Sequence, residues 1–339
     1  MSLDVTQILD ELARERGEGV GVSTITMNLV ALVDDPNLCE WIVERTGEIA
    51  RRHPSRVVVL DAAHEAGTHS VHSSMREIEH TLMTGSQQVA IGVSGMQAPD
   101  LFSVAHALVV PNVETILYWA GAHVAGDERL GRLSEIADCL VVDTSRSDST
   151  AETLRELAGF VEAHERIAIH DLAYMRLLSW QDMIAQFFDD PELASEIGTI
   201  SRIDIAAGSD SEALYIVGWL ASRLGWQPHT GDAFYDSAGA EIHFTIAREG
   251  EPRRVRRIAL ESADSTFTAA LEPGTADLAA LTVSGKFARP ERCVPLHHID
   301  IVALIERAIL SPRRDDVFRS SLAMARAILE RRSNRSDDA

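Results

Sequence analysis

Between residues 23 and 169, apolar segments of strand length alternate with stretches of helical periodicity, and this alternation constrains the fold more than any other feature. Ser23–Val33 sets Ile25, Met27 and Leu29 against Thr24, Thr26 and Asn28, then turns continuously apolar, as an increasingly buried strand does. Asp35-Pro36 opens a helix with proline at its first position, and Leu38, Trp41, Ile42 and Ile49 form its core face. His53-Pro54-Ser55 stops that helix, and Arg56–Leu60 reads as a short buried strand. This βαβ unit implies a right-handed crossover to a parallel neighbour. Strand candidates at 88–93, 113–119, 139–143 and 166–169 alternate with helices near 100–109, 128–137 and 150–164. The expected product is an α/β N-terminal domain with a mostly parallel sheet. An opening helix is expected over 3–15, and the stretch 61–87, which fits least well, is read as adding edge strands around His69–Met75.

The pattern changes from about residue 198. A strand at Ile200–Ala206 leads into a helix over 211–224, ended by Gly225. Strands near 241–248, 253–261, 265–272 and 277–284, separated by short Gly- and Pro-containing turns, read as an antiparallel meander. Helices over 300–310 and 315–331 close the chain, so this half reads as an α+β C-terminal domain with an antiparallel sheet. The boundary is placed near Asp189-Asp190-Pro191, giving domains 1–190 and 191–332 and a disordered tail 333–339. Between them, a strand ends at His170-Asp171, Leu172, Met175 and Leu178 follow at helical spacing, and Ser179 is read as the cap of a second helix. Tyr174, Trp180, Phe187 and Phe188 crowd this stretch in a protein with 5% aromatic residues, which marks a packed joint without a nucleophile.

At 339 residues the chain exceeds the size of one growing core, consistent with two domains. Its net charge of −21 argues against binding nucleic acid or an anionic membrane, both of which need basic clusters. The charge is uneven: 182–212 is acidic, whereas Arg253-Arg254-Val255-Arg256-Arg257 and the last helix are basic. A solvated face and a docking surface both fit each cluster. Lys286 is the sole lysine, which removes a phosphate-reaching Walker lysine and leaves one Schiff-base candidate in a strand-like context. Cys39, Cys139 and Cys293 are scattered, so neither a disulfide scaffold nor a cysteine zinc site is expected. No apolar run approaches the ~20 residues of a membrane span. A soluble, cytoplasmic protein is expected.

Chemical motifs are sparse. Gly17, Gly19 and Gly21 lack the spacing of a dinucleotide fingerprint. Gly92-Val93-Ser94-Gly95-Met96 resembles a nucleophile elbow but carries methionine where the last glycine belongs, and is read as a turn. His64, His69, His72 and His80 with Asp61 and Glu65 suggest a metal, but His69 and His72 on one strand would face opposite ways, so a polar loop is preferred. Trp219 is read as core packing. Asp143-Thr144-Ser145 and Asp171 fall where parallel strands meet their loops, the edge at which α/β sheets bind ligands. Hydroxyls and carboxylates there could hold a sugar or phosphate; capping and turn roles fit as well. The residues singled out as ligand or partner contacts are Asp143, Ser145, Asp171, Tyr174 and Trp180. No catalytic residue, cofactor site or metal site is assigned.

Several blocks carry a family resemblance: Ser23–Val30, His53–Leu60, Leu117–Gly121, Ala137–Asp143, Asp171–Arg176 with Ser179-Trp180, and Gly218–Trp226. In this order the chain resembles the OpcA family, the glucose-6-phosphate dehydrogenase assembly proteins, over roughly residues 20–330. The resemblance implies a non-catalytic protein that binds glucose-6-phosphate dehydrogenase and supports its assembly and activity in the oxidative pentose phosphate pathway. A sugar-phosphate or nucleotide sensor, or a weak enzyme, using the edge of the first sheet is the alternative. Members from photosynthetic bacteria carry cysteines associated with redox control in the middle strands of the first domain. The corresponding stretch here, His69 to Val93, has none, which puts thiol switching in doubt. The family's paired tryptophans appear here as Tyr118-Trp119, a mild change that keeps the ring.

Overall fold

The structure, a computed structural model, describes residues 5–17, 25–65, 69–78, 82–121, 126–147, 149–275, 277–296, 299–311 and 313–337. Ser23, Thr24, Gly19, Gly21 and His80 of the sequence reading lie outside them. In chain order the first elements are α1 (Val5–Gly17), β1 (Met27–Val33), α2 (Cys39–Arg52), β2 (Ser55–Glu65), β3 (His69–Ile78), β4 (Leu82–Ser94) and α3 (Ala98–Leu108). They are followed by β5 (Glu114–Trp119), α4 (Glu128–Ser134), β6 (Cys139–Val142), α5 (Thr150–Ala163), β7 (Ala168–Asp171), α6 (Leu172–Met175) and α7 (Leu178–Phe187). The remainder comprises β8 (Arg202–Ala207), α8 (Asp210–Leu224), β9 (Gln227–Pro228), β10 (Ala233–Tyr235), β11 (Glu241–Arg248), β12 (Val255–Glu261), β13 (Ser265–Leu271), β14 (Leu278–Gly285), β15 (Arg289–Pro295), α9 (Ile301–Leu310) and α10 (Asp316–Asp337).

Contacts divide the chain into two units, and the division is not a single cut. The first unit comprises 1–143, 163–170 and 300–314; the second comprises 144–162, 171–299 and 315–339. The sequence reading instead places one boundary near Asp190. A linear boundary is what a change of pattern along the chain can suggest, whereas α5 and α9 each pack into the unit opposite to the one that their sequence neighbours suggest.

The first sheet has seven strands in the order β3-β4-β2-β1-β5-β6-β7. Its interior pairs β2–β4, β1–β2, β1–β5 and β5–β6 are all parallel, and β3 is an antiparallel edge. Leaving β3 aside, the parallel strands follow the spatial order 3-2-1-4-5-6 of a doubly wound nucleotide-binding sheet. β1 lies at its centre and all seven residues of β1 are buried, which explains its continuous apolar run. The edge strand expected around His69–Met75 is present as β3. The expected helix start at Asp35-Pro36 is displaced to Cys39. Asp35 Oδ1 accepts the Asn37 backbone N–H at 2.9 Å, and this side-chain turn competes with the first helical turn.

The second unit contains an eight-stranded sheet, β15-β14-β13-β12-β8-β11-β10-β9, with α8 and α10 packed together. The meander is β12 to β15, all antiparallel, and includes a strand at 289–295 that the sequence reading lacked. β11 does not join it: β11 pairs in parallel with β8 on the far side, from His243↔Arg202 to Arg248↔Ala207. Both arrangements satisfy the same alternating pattern, so periodicity alone does not choose the neighbour. α7 starts at Leu178 with no side-chain cap, not at Ser179. Leu177 N–H donates to Tyr174 O and Gln181 N–H to Leu177 O, so the α6 turn runs on and leaves no open helix start for Ser179 to cap. Gly225 ends α8 in the left-handed region at φ 71°, as its sequence position implies. Trp219 is only half-buried, and it is Trp226 that lies in the core, 6.0 Å from the Phe234 ring. α10 continues past Ser333 to Asp337.

Candidate functional site

Asp171 is the most heavily bonded of the residues singled out from the sequence. Its carboxylate has no exposed surface. Oδ1 accepts the backbone N–H of Ala173 at 2.9 Å, which caps α6, and that of Thr144 at 3.1 Å. Oδ2 accepts the Thr144 hydroxyl at 2.5 Å and the Tyr215 hydroxyl at 2.7 Å. Four donors saturate a carboxylate, which is how a buried charge is tolerated. Burial foremost, and then the neighbouring Asp171 charge, pushes the Tyr215 phenol well above its usual range, so it remains a donor. Asp171 therefore knots the 144–146 turn, α6 and α8 together within the second unit, with no acceptor position left for a ligand. Thr144 is already marked in the sequence with Asp143 and Ser145 at a strand end, whereas Tyr215 gives no signal of its own, since it sits inside a mainly apolar helix.

The other residues fall in different places. Asp143 is buried at the end of β6 in the first unit. Tyr174 is buried against Tyr215 and Phe318, with ring centroids at 5.5 and 5.2 Å, and burial pushes its phenol up to about 12. Phe187 and Phe188 meet Phe267 at 5.5 and 4.9 Å. The aromatic joint is thus the core of the second unit. The acidic stretch 182–212 does not form one face. Glu196 is buried and accepts the Ser262 hydroxyl at 2.6 Å, Asp190 and Glu192 bind Arg289, Asp204 binds Arg202, and Glu212 is buried beside Arg176.

Trp180 lines a cleft of the second unit that is rich in arginine, and Ser145 meets it through Arg176. Its walls include Arg176, Ser179, Trp180, Glu212, Arg253 and Arg254. Arg176 donates to Ser145 Oγ at 3.1 Å and lies 3.7 Å from the Glu212 carboxylate. Arg253 and Arg254 stand on the turn between β11 and β12, where Arg253 adopts φ 63°. Gly208, at the end of β8, fixes that turn: its N–H donates to Arg254 O at 2.8 Å, and a Cβ on it would lie 1.7 Å from Glu251 O. A bulge between Val255 and Arg257 then turns Arg256 and Arg257 outward. Its arginines give the cleft a cationic wall, and among its described lining residues no nucleophile is paired with a base.

In the first unit the donor atoms of Cys39, Asp61 and His64 lie within 4.8 Å of one another. Asp61 Oδ1 accepts from Cys39 Sγ at 3.0 Å and from the Ala63 and His64 N–H groups, while Oδ2 lies 2.6 Å from His64 Nδ1. Desolvation, reinforced by Asp61, raises the Cys39 thiol to about 12 and keeps it protonated. The carboxylate closes a turn, and the arrangement is a hydrogen-bonded cluster. His69 Nε2 lies 3.2 Å from Glu11. Gly95 takes φ 79° and Met96 N–H donates to Val93 O, so the serine motif at 92–96 is a turn.

The strand order of the first unit raises dinucleotide binding directly. In such sheets the pyrophosphate rests on a glycine-rich turn between the first strand and helix. Here that turn reads Asp34-Asp35-Pro36-Asn37-Leu38, with no glycine and with two carboxylates. Asp34 is engaged by Arg129 at 3.2 Å and Asp35 by Asn37. The turn would repel a pyrophosphate, and these residues do not fit the cofactor.

With this geometry in view, two family models match: the glucose-6-phosphate dehydrogenase subunit N-terminal domain over residues 46–159, and the corresponding C-terminal domain over residues 167–322. The chain belongs to the OpcA family. A Synechocystis sp. protein named for the OxPP cycle, OpcA, is 30% identical over 202 residues, covering 58% of this chain and 42% of its own length. Its counterpart in Nostoc punctiforme is 29% identical over 210 residues, covering 58% and 44%. The matched region thus spans less than half the length of these relatives. Among solved structures, KijD10, a 3-ketoreductase from Actinomadura kijaniata in complex with NADP and TDP-benzene, superposes with a TM-score of 0.51 at 11% identity, over 89% of this chain and 95% of that one. At that identity the likeness shows the fold alone. This OpcA family member keeps the strand order of such sheets without their phosphate-binding turn.

Proposed function

We propose that this chain is a non-catalytic partner of glucose-6-phosphate dehydrogenase, supporting that enzyme's assembly and activity in the oxidative pentose phosphate pathway. The observation that carries the reading is the match of both halves to domains described as parts of a glucose-6-phosphate dehydrogenase subunit. The acidic turn after β1 supports the absence of a hydride-transfer role, since it disfavours the cofactor that the sheet would otherwise hold. A partner activates only by binding the active or assembled state more tightly than the alternative, and a tenfold preference corresponds to about 1.4 kcal/mol. Asp171 and Tyr174, with almost no exposed surface, are assigned to holding the second unit in shape; Trp180 is assigned to the arginine cleft and Ser145 to positioning its Arg176.

The test is to mix this protein with purified glucose-6-phosphate dehydrogenase and follow sedimentation velocity alongside steady-state kinetics. Co-sedimentation with a raised kcat or a lowered KM is expected. Independent sedimentation with unchanged kinetics would overturn the reading.

A further inference from the structure

We propose that the arginine cleft of the second unit binds the phosphate group of a small phosphorylated metabolite. This goes beyond the partner reading and does not depend on it. Arg176, Arg253 and Arg254 face one cleft; Glu212 is the one carboxylate among its described wall residues, and Arg254 also lies 3.6 Å from the exposed Glu251. Two of the three are built into place. Arg176 is held through one nitrogen, Nη1, which donates to Ser145 Oγ at 3.1 Å and lies 3.7 Å from Glu212, and the turn that carries Arg254 is clamped to the Gly208 backbone. Arg253, on the same turn, forms no ion pair with any of the described residues. Guanidinium groups present planar forks that match phosphate oxygens in pairs, which is why arginine outranks lysine at such sites.

The remaining walls indicate what is attached to the phosphate. Trp180, Leu177, Val255, Leu296 and Ile299 give the cleft an apolar side, and Ser179 adds a hydroxyl. A bare inorganic ion has no use for that surface, whereas a short carbon chain or sugar ring does. The cavity volume of about 60 Å³ takes a phosphoryl group and a few atoms beyond it. In this assignment the buried Glu212, itself a wall residue, holds Arg176 in position at 3.7 Å, and the three guanidinium groups outweigh its single charge.

Calorimetric titration of the full chain alone, at fixed ionic strength, tests this with three probes: inorganic phosphate, ribose 5-phosphate and ribose. Saturable binding of both phosphates is expected, tighter for ribose 5-phosphate, with none for ribose. The double variant Arg253→Ser/Arg254→Ser should weaken ribose 5-phosphate at least tenfold while keeping the native unfolding midpoint. Arg176→Lys retains the charge but not the fork and should weaken it as well. No saturable binding of either phosphate, undiminished binding by the double variant, or binding of inorganic phosphate alone would each overturn the proposal. Because glucose-6-phosphate dehydrogenase is absent from this experiment, its failure leaves the partner reading untouched, and the converse holds.

Discussion

Tyr215 donates its hydroxyl hydrogen to Asp171 Oδ2 across 2.7 Å, where both residues are fully buried. Tyr215 lies in the middle of α8, and Asp171 ends β7 and caps α6, so one hydrogen bond fastens a long helix to a strand end. Tyr215→Phe keeps the ring contacts to Tyr174 and Phe318 but removes one of four donors from a buried carboxylate. A loss of about 1–3 kcal/mol is expected, the usual cost of leaving a buried polar group unsatisfied. Urea unfolding should show a lower midpoint at an unchanged slope.

Gly218 sets two effects against each other. Alanine in a helix interior gains roughly 1 kcal/mol over glycine. A Cβ at Gly218, however, would lie 2.4 Å from Ser321 O and 3.2 Å from Ala325 N, both on the backbone of α10. Overpacking costs typically about 1–3 kcal/mol, and backbone atoms yield less readily than side chains. Gly218→Ala is therefore expected to destabilise, with thermal unfolding a few degrees lower. A stabilised variant would show that α10 can withdraw from α8.

The three thiols should react in sequence. Cys39 and Cys139 are buried, and desolvation raises each to about 12; Cys293 is exposed and is raised by slight desolvation and by Glu272. In the folded protein an alkylating reagent should label Cys293 first, at a rate that climbs with pH as its thiolate forms. Cys39 and Cys139 should be labelled only upon unfolding. Mass spectrometry of timed samples reads the order directly.

Arg289 clamps Asp190 at 3.1 Å and Glu192 at 2.5 Å. The Asp190 carboxyl is held below its ordinary value, first by the Glu192 backbone N–H and then by Arg289. A depressed carboxyl stabilises the fold above its unfolded pKa and loses that contribution as pH falls through the folded one. Arg289→Gln should thus separate from the parent near neutral pH and converge with it below about pH 4, where carboxyls protonate. The gap should also narrow in high salt, because these groups face solvent.

Much of the architecture is legible in the sequence because local rules and global packing agree. The run Met27–Val33 reads as a buried strand and is one, since a central parallel strand has apolar neighbours on both faces. Gly225 reads as a helix end and takes the left-handed conformation that few other residues accept. The candidate site was less legible. Arg253 and Arg254 stand out as a basic pair, but their companion Arg176 is far away in sequence, and the pairing of β11 and β12 with β8, with the clamp at Gly208, places the turn beside it. The acidic stretch 182–212 reads as one surface and disperses, because five of its carboxylates turn to different partners: Asp190 and Glu192 to Arg289, Asp204 to Arg202, Glu212 to Arg176 and Glu196 to Ser262.

The sequence by itself determined the two sheet-bearing halves, the alternation of the first and the family to which both belong, because periodicity, turn residues and ordered motif blocks are properties of neighbouring residues. The tertiary structure alone decided that β11 joins β8 rather than the meander, that the units interleave, and that Asp171 is a saturated knot while the open cationic site is the neighbouring cleft. Those outcomes depend on which distant groups satisfy a buried charge, and desolvation makes that choice only when the whole unit has packed.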